Sequence, residues 1–399
     1  MSFASSSLTQ LSAIKEATWG VTPNSGNPRY RRFTGESLKF SLTKDTSKEI
    51  NPSRQVSSLI PTKAEVAGGL SIELSLQEHD DFMESAMMDS WDHFGTAGIS
   101  TAALASFPAN NTLEFDSAPT GSDALANLSV GDWFRIVDPA GTALLATNKG
   151  IFQVVSKTAT DIVVSGTPFT VDAVSKNVQI ASSKLTHGIT RSSYSIEKYH
   201  PEAGQYFVFR GMQVSKLSLR IESGSIVNGS VDFMGSTSEN GGTSFMPGAA
   251  SSAFTGDSLN AVTGVMSVLM DGVPIRTAFQ TEIKSFNFDF DNKLQGLEAV
   301  GFLGNADVMA GRIDLKGAMQ VYFANGQLYN DFINSVAHSL TFVLKDPKTG
   351  EGYVFEFPRI ELADAQTNAQ ALDQPVMLDT NWQALEHPTL HKSMFIYRV

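Results

Sequence analysis

The sequence predicts a mainly β chain: two tandem β-sandwich or barrel units, each with a short flanking helix, plus an inserted small β-barrel or immunoglobulin-like domain. Composition is the first reason. Of the 399 residues 42% are hydrophobic and only 18% charged, with 32 Gly and 26 Phe, a balance that favours packed sheets with glycine turns over helical bundles. The second reason is an internal repeat. SLTFVLKDPKTGEGYVFEF at 339–357 follows SYSIEKYHPEAGQYFVFRG at 193–211 by 146 positions. Ser193, Pro201, Gly204, Val208 and Phe209 fall on Ser339, Pro347, Gly350, Val354 and Phe355, so each copy reads as a hairpin with a Pro-x-x-Gly turn. The third is DFMES at 81–85, which returns as DFINS at 331–335, an offset of 250, each after a Gly-led alternating run starting at Gly69 or Gly317. The offsets differ by 104, so about 104 extra residues separate helix from hairpin in the first copy. That difference places an inserted domain at 88–191.

Taken in order, residues 1–34 are rich in Ser, Gly and Pro and read as an N-terminal arm. Trp19 is its one large anchor, and Arg31-Arg32 reads as a solvated turn. The first unit covers 35–87 and 192–240. Its strand at 36–43 leads into an excursion over 44–63, with charges at its base and Arg54, Val56, Leu59 and Ile60 towards its tip. A counterpart at 292–305 is tipped by Val300, Phe302 and Leu303. Long excursions in compact domains usually have a job, and apolar tips are rarely left in water. These seven residues are therefore the expected subunit interface. A helix over 79–88 puts Phe82, Met83, Ala86 and Met87 on one face, with acids near its positive end. His79, Asp80, Asp81, Asp92 and His93 match no metal-ligand spacing and read as a solvated face. Within 88–191, short strands are expected at 113–115, 133–137, 152–155, 161–165 and 178–181. Strands at 214–221 and 226–234 complete the first unit, 241–262 reads as a linker, and 263–399 forms the second unit.

A search for chemistry is negative. No Gly-x-Ser-x-Gly elbow, phosphate loop or His-Glu-x-x-His is present. The seven His are scattered, and His387 and His391 flank a predicted turn in HPTLH. No catalytic, cofactor-binding or metal residue is expected. With no Cys, the chain has no disulfide frame or thiolate metal site. A net charge of −12 without a basic run lacks the footprint of a nucleic-acid or membrane binder. No apolar run approaches the ~20 residues of a membrane span, and the N-terminus has no signal-peptide pattern. The expectation is a soluble, non-enzymatic protein made in a reducing cytoplasm.

The ordered motifs KEATWGVTP at 15–23, ESLKF at 36–40, SRQVSSLI at 53–60, the run 69–87, the run 193–221 and GSVDFMG at 229–235 resemble the tail tube proteins of long-tailed, siphovirus-type bacteriophages. The resemblance covers nearly everything outside 88–191 and 235–260. It implies a β-sandwich with one flanking helix, whose copies form stacked rings around a lumen that passes the genome, and an inserted domain on the outside. It also implies a virion location, with the tape measure, tail terminator and distal tail proteins as partners. Genomic DNA would pass without tight binding, since an acidic wall avoids the counterion-release grip of a basic one. Rings of this family are typically sixfold, so a duplicated chain is expected to close as a trimer; a hexamer of chains whose halves fuse into one sandwich is the alternative. A β-modular carbohydrate-binding adhesin and a hydrolase with a dispersed acid pair are the rival classes.

Overall fold

A computed structural model describes residues 3–50, 52–141, 144–369 and 372–399. It is mainly β, and its organising feature is one continuous antiparallel run of eight strands. In spatial order these are Lys39–Thr46, Leu59–Glu73, Asn228–Gly235, Gln205–Glu222, Ile283–Asp291, Asp314–Tyr322, Met377–Ala384 and Gly352–Leu362. Alternation puts one face of seven of these strands inside, while Lys39–Thr46 carries no buried residue. Leu70, Ile72, Val231, Phe233, Leu217, Leu219, Phe286, Phe288, Phe290, Met319, Leu378 and Trp382 share one buried core. Phe286 lies between the rings of Phe342 and Trp382, with centroids 3.8 and 5.6 Å away.

The two hairpins noted in the sequence are formed, and their pairing agrees residue for residue. Ile196 faces Phe209, Glu197 faces Val208 and Lys198 faces Phe207. In the second hairpin Phe342 faces Phe355, Val343 faces Val354 and Leu344 faces Tyr353. All six positions correspond at the offset of 146. Gly204 and Gly350 both take positive φ, 60° and 75°, which a glycine adopts without the Cβ penalty.

The helices correct the second offset. They span Asp80–Met87 and Gln327–Ile333, and the left-handed residues closing them are Met88 and Ser335. Corresponding points are thus 247 apart, not 250. At 247 the buried Ile72 and Leu74 fall on the buried Met319 and Val321. The Gly69/Gly317 match would instead set the exposed Ser71 on Met319. A one-residue slip turns a strand inside out, so the DFMES/DFINS likeness is out of phase with the structure. Asn334 and Ser335 lie beyond the second helix.

The six strands between Ala103 and Ala181 close into a barrel in the order 150–157, 161–164, 112–115, 103–109, 172–181, 133–137. It has a core of its own that includes Phe107, Phe115, Phe134, Ile162 and Val178. Closure leaves no free sheet edge. The strand Ala103–Ala109 escaped the sequence reading, since ALASFPA carries Pro108 and little alternation. The barrel is narrower than 88–191: Trp91 and Leu185 belong to the main core, and Ser183–Thr186 pairs with the C-terminal strand Phe395–Arg398. It sits on the body through Trp133 and Ile151, which pack with Val343, Val354, Phe395, Tyr397 and Val399.

Two segments expected to be peripheral are built in. Gln10–Lys15 pairs with Tyr194–His200 and contributes Leu11 and Ala13 to the core, so 1–34 is more than an arm. In the expected linker 241–262, Leu259 is buried in the main core, and Ser244 Oγ and Phe245 N–H donate to the buried Glu197 at 2.8 and 2.7 Å.

Candidate assembly surfaces

The face of the eight-stranded run opposite the core is polar, and register makes it a set of rows. Asp232, Lys216, Asp291 and Asp314 stand side by side in one row. Asp289 and Lys316 lie in the next, then Arg220, Asn287, Ala318 and Asn381. Glu222, Ser285, Gln320 and Asp379 form the last. Six carboxylates in these rows (Asp232, Asp291, Asp314, Asp289, Glu222, Asp379) thus meet three cations of the rows (Lys216, Lys316, Arg220) and Lys293, which reaches Asp291 and Asp314 at 2.8 and 3.2 Å, so the rows carry an acidic excess. The cations are already engaged: Lys216 Nζ is 3.1 Å from Asp289 and Lys316 Nζ 3.5 Å from Asp314, while Arg220 reaches Glu222 at 2.9 Å.

Both excursions leave the same end of this run and meet at their bases. Lys63 Nζ lies 2.7 Å from Glu298, and Ala64 N–H donates to Leu303 O at 2.6 Å. Asn305 Nδ2 donates to Gly235 O at 2.9 Å, which ties the second excursion to the first half. Beyond these bases the seven named residues all point outward. Val56, Leu59, Ile60, Val300, Phe302 and Leu303 are exposed, Val300 completely. Arg54, at positive φ of 60°, is exposed near the tip of the first. The first excursion is a continuation of a hairpin, with strands running to Thr46 and from Leu59.

Of the residues expected on a solvated face, Asp92 and His93 are exposed, whereas His79 and Asp80 are buried and Asp81 is half-buried. Arg31, only 6% exposed, bonds the Asp81 carboxylate and donates to Glu78 O at 3.1 Å, with its guanidinium over the Phe82 ring at 4.5 Å. Burial, with Arg31 nearby, pushes the His79 pKa down to about 3, so its imidazole stays neutral. Asp80 joins the halves by bonding the Tyr353 hydroxyl and Arg398. Sequence spacing could not show this, because the partners lie hundreds of positions away. Among the described residues no group of three His, Asp or Glu could hold a metal ion, and no helix is long and apolar enough to cross a membrane. His391 instead bonds Glu386 at 2.9 Å.

KEATWG has a mechanical meaning that its spacing alone did not reveal. The buried Glu16 carboxylate accepts from Gly20 N–H (2.8 Å), Ser193 Oγ (2.7 Å), Ser195 Oγ (2.7 Å) and Gly211 N–H (2.9 Å). Trp19 Nε1 donates to Gly211 O at 3.0 Å. Together they fasten the N-terminal segment to the first hairpin.

The family model described as phage tail tube protein matches residues 6–384. No curated protein matches the chain.

Proposed function

The chain belongs to the phage tail tube protein family, and on that premise we propose that it is an internally duplicated tube protein whose rings hold three chains. As a member of that family it is a structural protein of the virion tail that assembles with itself and with other tail components. The duplication rests on one observation: elements taken in the same chain order build the same four-strand order twice, with the hairpin register conserved at 146. On this reading the barrel at 103–181 is an insertion in the first half, carried on the outside of a siphovirus-type tube. The acidic face lines the lumen, and DNA ejected into the host slides past carboxylates instead of binding cations. Tape measure, terminator and distal tail proteins meet its ends.

Arg54, Val56, Leu59, Ile60, Val300, Phe302 and Leu303 serve as contacts to the neighbouring or stacked subunit. Burying one Leu is worth about 1.5–3 kcal/mol, repeated at every subunit. Leu59→Asp is expected to yield folded, soluble chains that fail to polymerise, as read by sedimentation and negative-stain microscopy. Normal tubes from that variant would remove the excursions from the interface.

A further inference from the structure

The seam between barrel and body encloses a lysine and two carboxyls. Three strands of the body lie side by side there: Ser183–Thr186, Phe395–Arg398 and Gly352–Leu362. Register sets Lys184 beside Tyr397 and Tyr397 beside Val354, then Thr186 beside Phe395 and Phe395 beside Glu356. Alternation turns these six side chains to one face, and that face carries the cluster on which Trp133 of the barrel rests. Asp132, the residue before Trp133, is only 6% exposed. Its Oδ1 lies 2.6 Å from Lys184 Nζ and 3.3 Å from the Tyr397 hydroxyl, and its Oδ2 accepts from Ser129 N–H at 2.7 Å. Lys184 Nζ stands 4.8 Å from the Phe395 ring centre and 5.7 Å from that of Tyr397. Glu356 faces both groups, and among the described residues its buried Oε2 has no hydrogen-bond partner.

We propose that Lys184 and Asp132 condense into an amide, a covalent staple between body and barrel, with Glu356 moving the protons. A buried ion pair gains little from its charges once both have left water. Transfer of one proton from ammonium to carboxylate then leaves a neutral amine beside a carboxylic acid, the form that apolar surroundings favour. The amine lone pair attacks Asp132 Cγ, and the C=O π electrons move onto Oδ2, where Ser129 N–H stabilises the growing negative charge. Glu356, whose pKa burial raises to about 7, donates its proton to Oδ1 and takes one from Nζ. The Cγ–Oδ1 bond breaks, Oδ2 returns its electron pair to Cγ, and one water leaves. Amine plus acid thus becomes amide plus water, and Glu356 ends as it began. Holding the two reactants in contact removes the entropic barrier that keeps free amines and acids apart. The bond ties barrel to body in a chain that has no Cys for a disulfide.

Mass spectrometry of the purified, folded chain tests this directly. The chain is expected to be one water lighter than its sequence requires, and digestion should yield a branched peptide joining Asp132 to Lys184. Lys184→Arg, which keeps the ion pair, should restore the full mass. Asp132→Asn should still link, with ammonia lost in place of water. Glu356→Gln should slow linkage at least about tenfold, followed over time in chains made by a short pulse of synthesis. Lys348 and Asp257 are also in contact, but their side chains are 74% and 62% exposed; this hydrated pair is the internal control and should be recovered unlinked. Recovery of Lys184 and Asp132 on separate, unmodified peptides overturns the proposal, and so does a water loss that survives Lys184→Arg. Equal rates with Glu356 and with Gln at that position overturn the part assigned to Glu356. If Lys184→Arg does not fold, the presence or absence of the branched peptide in the unmodified chain decides alone.

Discussion

Gly211 shows how one residue ties sequence motif to fold. It sits at φ 70°, and a Cβ there would come within 3.0 Å of both Trp19 Nε1 and Ser236 Cβ. Gly211→Ala is therefore expected to cost about 1–3 kcal/mol through backbone strain and the displaced indole, measured by urea unfolding; an unchanged midpoint would show that the Trp19 clamp is loose. Its partner Glu16 explains why Lys15-Glu16 precedes Trp19, yet nothing local in the sequence says that this carboxylate is buried. Arg31 teaches the same lesson. Beside Arg32 it looks like a solvated pair, and only folding brings it to Asp81, fifty positions on. Buried polar groups owe their place to distant partners, so they are the residues least legible in a sequence.

At the scale of elements, periodicity carried most of the information. Hairpins, the first helix and the main barrel strands were legible because alternation and Pro/Gly turns act locally. The 250 offset failed because identity of letters ignores which face a strand presents, and burial restores 247. The barrel's seat was not legible, since it depends on Trp133 meeting the second hairpin. In that seat Glu356 occupies the position that Arg210 holds in the first hairpin. Burial pushes its carboxyl up to about 7, with the Trp133 indole, Lys184 and Asp132 as the groups facing it. A raised acid pKa favours the protonated folded form, so this contribution is complete below about pH 4.5 and is lost as pH rises to about 7. Protection of residues 131–137 and 352–358 from hydrogen exchange should fall across that window by up to about 3 kcal/mol of local opening free energy. Glu356→Gln should abolish the pH dependence, and persistence of the same slope would assign it elsewhere. Removal of the barrel at 103–181 tests the seat as well. Replaced by a short Gly/Ser link, it leaves Val343, Val354, Phe395 and Tyr397 uncovered. The truncated chain is expected to aggregate until Val343→Thr and Val354→Thr are added, after which rings should form. Loss of all assembly by the soluble, folded triple variant would mean that the barrel itself holds the ring together.

For the whole molecule, two four-strand sets joined through 216–222 and Ile283–Asp291 make one half the neighbour of the other. Among the described residues, Lys39–Thr46 at one end of the run and Gln366–Asn368, just beyond Gly352–Leu362 at the other, pair on one side only, and rings remove edges by pairing them. If each half fills one of six positions, three chains close the circle, and the barrel marks every second position. Direct imaging of tubes assembled from the intact chain tests this most plainly. Reconstruction of one ring without imposed symmetry is expected to show three barrels on the outer surface and threefold symmetry; six barrels per ring would contradict it.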